Sequence, residues 1–234
     1  MNLPLAHSEN GPCPYLPDRE WSVEYTSLQP LPREIHGMLL RSGWRRSGRI
    51  LYRNMCRACS LCIPVRIPVA HLRLSKSQRR CLKKNQDLEV RVCSGGYTEE
   101  RYQVHAAYAQ ARHEEAVSRE DFQQFLCESP TDTRVSEYRV AGTLIGVGWL
   151  DVVDDGMSSV YFSFLPEYSR RSLGIFSVLK EARIVRELGL PYYYLGFWVP
   201  GSPKMDYKAR FAPLEMRDRK GWQRINPEEW RSTL

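Results

Sequence analysis

The stretch that decides the fold runs Ser158-Ser159-Val160-Tyr161-Phe162-Ser163-Phe164-Leu165-Pro166, passes through Arg170-Arg171-Ser172-Leu173-Gly174-Ile175, and continues to Leu188. Ser158 to Leu165 is β-rich, and Pro166 stops it. Glu167 to Gly174 reads as a loop with two arginines and a glycine. Ile175, Val178, Leu179, Ala182, Val185 and Leu188 then share one face at helical spacing. Gly189 and Pro191 close that helix, and Tyr192 to Val199 forms a further strand. Upstream, Val135 to Val140 and Leu144 to Val153 read as strands, with Ala141-Gly142-Thr143 and Asp154-Asp155-Gly156 as hairpin turns. Antiparallel strands followed by strand, loop, helix and strand place the chain in the α+β class.

This element order forms the middle of an acyltransferase pattern, in which the loop and helix N-terminus approach the donor. Further upstream, Thr98 to Glu115 and Arg119 to Cys127 read as helices. Ser75 to Asn85 reads as a helix with Ser75 as N-cap. Arg33 to Ser42 is a short helix, and Arg49 to Arg53, Ile63 to Ala70 and Leu88 to Cys93 are strands. Residues 1–32, rich in proline and turn formers, read as an irregular arm. The turn Ser94-Gly95-Gly96 divides a smaller Cys-containing basic domain, residues 1–95, from a transferase domain, residues 96–234.

A chain of 234 residues buries a real core as one large domain or two small ones. Its net charge of +7 favours an acidic partner, nucleic acid foremost. The N-terminus lacks the basic start and apolar core of a secretory signal, and no apolar run approaches membrane-spanning length. The expectation is a cytoplasmic protein with no membrane partner. Its seven cysteines then read as ligands or free thiols rather than a disulfide frame.

Three of them, Cys56, Cys59 and Cys62, make a C-x-x-C-x-x-C run that brings three sulfurs near one point. Thiolates at such spacing hold zinc or an iron–sulfur cluster. Cys13, between Pro12 and Pro14, is the best fourth ligand, with Cys81 and Cys93 next. The plain alternative is free thiols in a tight turn. Arg79, Arg80, Lys83 and Lys84 form a cationic helix stripe. With Arg45, Arg46, Arg53 and Arg66 they can line a phosphate-binding surface, or simply a solvated face. The segment Lys204-Met205-Asp206-Tyr207-Lys208-Ala209-Arg210-Phe211 packs three cations and two aromatics between Pro203 and Pro213. If it is helical, Lys204 and Lys208 share a side. Tyr192, Tyr193, Tyr194, Phe197 and Trp198 read as core and pocket wall. His36, His71, His105 and His113 show no partner pattern.

These residues resemble the aminoacyl-tRNA–protein transferases, in the bacterial branch that places leucine on N-terminal Asp or Glu. The likeness runs through Cys13-Pro14-Tyr15-Leu16-Pro17, Arg45-Arg46-Ser47-Gly48, Leu51-Tyr52-Arg53 to Val69, and Ser77-Gln78-Arg79-Arg80. It continues through Tyr161-Phe162-Ser163-Phe164, Arg171-Ser172-Leu173-Gly174, Leu190 to Gly196, and Lys204-Met205 with Tyr207 to Phe211. The resemblance implies a GNAT-like C-terminal domain, charged tRNA as donor, and an acceptor protein with N-terminal Asp or Glu. It also implies a Cys-bearing N-terminal domain, which in eukaryotic relatives carries a metal or iron–sulfur site. Two positions depart: Leu165 stands where many relatives have Asp, and Leu16 where the eukaryotic pattern has a second Cys.

The implied reaction is aminolysis of an ester by the acceptor's α-amine, which needs positioning, an oxyanion contact and a proton for the leaving hydroxyl, but no cofactor. Lys204, Lys208 and Arg210 are the candidates to hold the acidic side chain and keep the amine neutral. Ser172 and Gly174 are candidates for ester contacts, Arg171 for the terminal phosphate, Arg66 for substrate binding and Tyr207 for proton relay. Arg79, Arg80, Lys83, Lys84 and Arg53 are the tRNA candidates, and Cys13, Cys56, Cys59 and Cys62 the metal candidates. Leucine is the favoured donor, and arginine remains open. The rival readings are an acetyl-CoA-dependent N-acetyltransferase, whose pyrophosphate loop is incomplete here, and an RNA-binding module with a zinc ribbon.

Overall fold

The computed structural model describes residues 4–232. Its first part is a four-stranded antiparallel sheet built from β1 (Ala6–Pro12), β2 (Glu20–Ser27), β3 (Arg45–Ser47) and β4 (Ile50–Asn54), in the order β1-β2-β4-β3. Helix α1 (Arg33–Arg41) lies between β2 and β3 in sequence. Residues 6–27, expected as part of an irregular arm, are therefore a paired hairpin; residues 1–3 lie outside the described residues. The reason is the β-rich run Val23-Glu24-Tyr25-Thr26, which pairs on both edges, while Pro14 and Pro17 fall in the connecting loop.

The second sheet has eight strands. They are β5 (Ile63–Pro68), β6 (Glu89–Ser94), β7 (Thr133–Val140), β8 (Thr143–Val153), β9 (Gly156–Phe164), β10 (Tyr192–Trp198), β11 (Leu214–Asp218) and β12 (Gly221–Ile225). Their order is β12-β11-β5-β10-β9-β8-β7-β6, and only the β9–β10 pair is parallel. Strands β5 and β6 come from residues 1–95, so residue 95 does not mark a division between sheets.

Helix α2 (Lys76–Lys84) stands between β5 and β6 in sequence; α3 (Glu99–His113) and α4 (Arg119–Phe122) precede β7. Helix α5 (Leu173–Glu187) links β9 to β10, and α6 (Pro227–Arg231) ends the described chain. The expected helix Arg119 to Cys127 changes to a wider turn over Gln123–Cys127. On one face of the large sheet, Val104 and Phe122 pack on Val135, Val147 and Trp149. On the other, α5 reaches Ser136, Tyr138 and Tyr193 through Glu181. The largest core cluster joins β5, β10 and α5, with Val65, Ile67, Tyr193, Trp198 and Val185 fully buried.

A buried ionic network fastens the two sheets together. Arg46 of β3 donates to Asp151 of β8 at 2.6 and 2.8 Å, and Thr133 adds a hydroxyl bond at 2.6 Å. Arg45 and Arg66 are buried as well, which corrects the expectation that they and Arg46 line a phosphate surface. Arg45 and Arg46 lie on β3 and reach across to β9 and β8, and Arg66 lies on β5 between β10 and β11, so solvent does not reach them. Arg66 is paired with Glu215 at 2.8 Å and stacks over Tyr192 and Trp222 at 3.5 and 4.4 Å from the ring centres. It is therefore a fixed part of the β5–β10–β11 packing.

Candidate active site

Strands β9 and β10 pair only at Tyr192↔Gly156, Tyr193↔Met157 and Tyr194↔Ser158. Beyond that point β9 stays with β8 as far as Phe164, while β10 bulges and follows β5 to Trp198. The bulge contains Gly196 at φ +82°, a conformation that disfavours any other residue. A fork opens between two parallel strands, and their backbone groups need other partners there.

Arg45 fills that fork. Its guanidinium donates to Ser158 Oγ at 2.7 Å and to the Ser159 carbonyl oxygen. It presses so closely on Gly196 that a Cβ there would sit 3.1 Å from it. Sequence reasoning missed this role. The available signal was a glycine in the middle of the aromatic run Tyr192 to Trp198, which marks a close approach.

The segment expected to carry the cationic pocket is a 3-10 turn, Asp206–Arg210. With three residues per turn and Lys204 outside it, residues four apart do not align, so Lys204 and Lys208 do not share a side. Lys204 and Arg210 are exposed. Lys208 is only 6% exposed, and its ammonium nitrogen donates to the Phe197 carbonyl at 2.7 Å. Burial, with the Arg45 charge adding, lowers its pKa to about 7. Lys208 is thus a buried group at the fork wall and not a cation open to a carboxylate, a correction to its expected role. Tyr207 is half-buried, and burial raises its phenol well above the ordinary value, with Tyr108 and Glu181 adding. Lys204 lies close enough to His113, at the end of α3, to add to the lowering of that imidazole by burial.

Beneath the fork, Glu181 of α5 is fully buried and accepts from Ser136 at 2.7 Å, from Tyr138 at 2.9 Å and from Tyr193. Burial raises its pKa, and the three hydroxyl donors oppose the shift. Gly148 makes room for it, since a Cβ there would meet the Glu181 carboxylate at 2.4 Å. The sequence reading placed Arg45 only on a phosphate-binding surface and did not single out Glu181.

Helix α2 is organised by its faces. Ser75 caps it with a reciprocal bond to Gln78. Gln78, Cys81, Leu82 and Asn85 recur at i, i+3, i+4 and i+7 and face the body of the protein. Gln78 donates to the Arg210 carbonyl at 2.9 Å, Asn85 to the Arg171 carbonyl at 2.9 Å, and Cys81 contacts the Ser172 carbonyl at 3.7 Å. Lys84 donates to the Arg170 carbonyl at 2.5 Å. The opposite face carries Lys76, Arg79, Arg80 and Lys83, all exposed, around a shallow depression. None of these four has an ion-pair partner among the described residues. Arg53, the remaining tRNA candidate, is held by Glu24 at 2.5 Å and lies over Trp44, away from α2.

Arg171, expected on a terminal phosphate, instead makes a bidentate pair with Asp87 at 2.9 Å. Its neighbour Ser172 takes the left-handed conformation at φ +57° and starts α5 without capping it through its hydroxyl. Gly174 faces open space, with nothing within 4 Å of the position a Cβ would take.

The four candidate ligand thiols share one place. Burial raises the Cys62 thiol to about 12, and the nearby Cys13, Cys56 and Cys59 add to the shift. Yet no three His, Cys, Asp or Glu side chains among the described residues are arranged to hold a metal ion. As arranged, these thiols do not fit a metal or cluster. Cys81 and Cys93 lie elsewhere, on Ser172 and on Val135 and Arg101.

Residues 11–80 match the family model described as "Arginine-tRNA-protein transferase, N terminus", and residues 100–218 match "Arginine-tRNA-protein transferase, C terminus". The chain belongs to the arginine-tRNA-protein transferase family. Among its curated relatives is an aspartate/glutamate leucyltransferase of Marinobacter nauticus, 36% identical over 92% of this chain and 93% of the relative. Proteins of the same name from Dinoroseobacter shibae and Ruegeria pomeroyi are each 41% identical, over 93% of this chain and 82% of the relative. Among solved structures, the C-terminal domain of a putative lysylphosphatidylglycerol synthetase from Agrobacterium fabrum gives a TM-score of 0.48 at 15% identity, over 70% of this chain and 51% of that one. In this transferase the α2–α5 junction joins an exposed basic helix face to the loop that opens α5. No described helix is long and apolar enough to cross a membrane.

Proposed function

We propose that this enzyme moves leucine from leucyl-tRNA to the α-amine of proteins that begin with Asp or Glu. It acts in the cytoplasm, and the new N-terminus marks its acceptors for degradation. The strands β7 to β10 with α5 are read as a GNAT-like transferase unit within residues 96–234. Residues 1–95 supply the thiols, the basic helix and two strands of the sheet.

One observation carries this reading. Helix α2 offers four exposed cations without ion-pair partners among the described residues on one face and is tied by the other to residues 170–172 and 210. An anionic polymer on the outer face therefore ends beside the loop that starts α5 and the segment bearing Lys204 and Arg210. The names of the relatives supply the donor and acceptor classes.

In the proposed reaction, the neutral α-amine attacks the ester carbonyl carbon. A C–N bond forms, the ester C–O bond breaks, and the proton lost by nitrogen passes to the departing tRNA hydroxyl. Lys204 and Arg210, both exposed and free of carboxylate partners among the described residues, meet the acceptor's acidic side chain. Lys208 stays in the wall, where its ammonium nitrogen donates to the Phe197 carbonyl and fixes the segment that carries Lys204 and Arg210. Ser172 and Gly174 border the open space beside the ester. No metal and no further cofactor enter any step.

The acceptor assignment is tested with the double variant Lys204→Ala/Arg210→Ala. Losing two charge-assisted contacts should raise KM for a peptide starting with Asp by roughly tenfold or more. Binding of uncharged tRNA should stay within twofold. An unchanged KM for the acidic peptide rejects the two cations as its anchor.

A further inference from the structure

Between α2 and α5 lies a trough of about 350 Å³, within the size range of small-ligand sites, roughly 300–1,000 Å³. Leu74 and Leu82 form one wall, and Phe176, Leu179 and Ala182 form the other. Lys180, Arg183 and Arg186 of α5 also line it, and its lining residues include no carboxylate.

One polar group in this apolar lining is unexplained. Asn85 is 1% exposed, and its Oδ1 has no hydrogen-bond partner. The orientation of the amide is fixed, because its nitrogen donates to the carbonyls of Cys81 and Arg171, both at 2.9 Å. A flip would set oxygen against two oxygens. A buried acceptor left unpaired is costly, and it points to a donor supplied from outside.

We infer that this trough takes the aminoacyl group of the donor, with the leucine side chain against its apolar walls and the α-amino N–H on Asn85 Oδ1. The inference rests on the transferase reading above and deepens it, because it locates the choice of amino acid. A leucine side chain needs only apolar walls. An arginine side chain would bury a guanidinium where no carboxylate lines the site, where Lys180 and Arg186 stand, and where Glu187 is already engaged by Arg183. The position suits an ester at the start of α5, because Asn85 also holds the Arg171 carbonyl, one residue before Ser172. Lys180 and the outward cations of α2 remain for the phosphates of the tRNA end.

The test uses the full chain with Gln86→Trp and Leu82→Ala. Gln86 lines the trough but is exposed, so a tryptophan there covers it without disturbing the core. Gln86→Trp should lower kcat/KM for leucyl-tRNA at least tenfold, while binding of uncharged tRNA stays within twofold. Leu82→Ala enlarges the trough and should raise the use of phenylalanyl-tRNA relative to leucyl-tRNA at least fivefold. Unchanged leucyl transfer by Gln86→Trp, or unchanged donor preference in Leu82→Ala, overturns the assignment. Equal loss of uncharged tRNA binding also overturns it, since the trough would then hold nucleotides. If the unaltered chain transfers no leucine, the transferase reading itself fails, which is a separate result.

Discussion

At the scale of single residues, buried charges and hydroxyls set the largest effects. Glu181 satisfies three hydroxyls in the core below the fork. Replacing it by Ala removes the acceptor of two buried tyrosine hydroxyls and leaves Ser136 only the Gly148 carbonyl, so a stability loss of about 3 kcal/mol or more is expected in denaturant unfolding. Two histidines predict the acid limb. His36 and His105 are buried, and burial chiefly lowers each pKa from 6.5 to about 4. His36 stands 3.9 Å from Asp151, but at neutral pH it is the uncharged form that is buried. Between pH 6.5 and 4 the unfolded chain binds more protons than the folded one, so stability falls as pH drops through that window. The loss is on the order of 3 kcal/mol per histidine. A flat unfolding free energy from pH 7 to pH 4.5 would contradict it. Lys208 acts in the same sense at higher pH: its pKa drops from 10.5 to about 7 on folding, so its contribution rises between pH 7 and 10. Local chemistry made Ser75 readable as a cap and Tyr192 to Trp198 readable as core. Arg45, Arg46 and Arg66 are not legible as buried because charge in a sequence looks the same whether solvent meets it or a partner across the fold does, a carboxylate for Arg46 and Arg66 and the Ser158 hydroxyl for Arg45.

At the scale of elements, α2 links an outer basic face to the loop that opens α5. Its outward cations have no ion-pair partner among the described residues, and only Arg79 is engaged, on the Leu74 carbonyl, so their charge is available to phosphates. Changing Arg79, Arg80 and Lys83 together to Gln should weaken tRNA binding and lower the slope of log K against log salt by about one per cation removed. Thermal stability should change little, because all three side chains are exposed. An unchanged salt slope would place the tRNA elsewhere. The strands β7 to β9 and helix α5 were legible because their periodicity is local and their turns carry glycine. The N-terminal hairpin was not: proline in its loop masked strands whose pairing depends on β4, nearly thirty residues away. The lysine pocket failed for a similar reason, since helical spacing was assumed where a 3-10 turn forms.

At the scale of the whole molecule, the two sequence halves are interlocked. Strands β5 and β6 complete the large sheet, and Arg46–Asp151 binds the small sheet to β8. A fragment of residues 96–234 therefore lacks two strands and should not show a cooperative melt by circular dichroism. Asp151→Ala leaves the buried Arg46 without its carboxylate, with the Gly48 carbonyl as its remaining close partner, and should cost about 3–5 kcal/mol in the whole chain. The same interlock puts the fork, the basic helix and the loop before α5 around one junction, which no local pattern in the sequence reveals. The most direct measurement incubates the purified chain with leucyl-tRNA and peptides that differ only in their first residue, and follows product mass. The account predicts one leucine added to peptides starting with Asp or Glu and little to those starting with Asn or Lys. No addition to the acidic pair, or equal addition to all four, would contradict it.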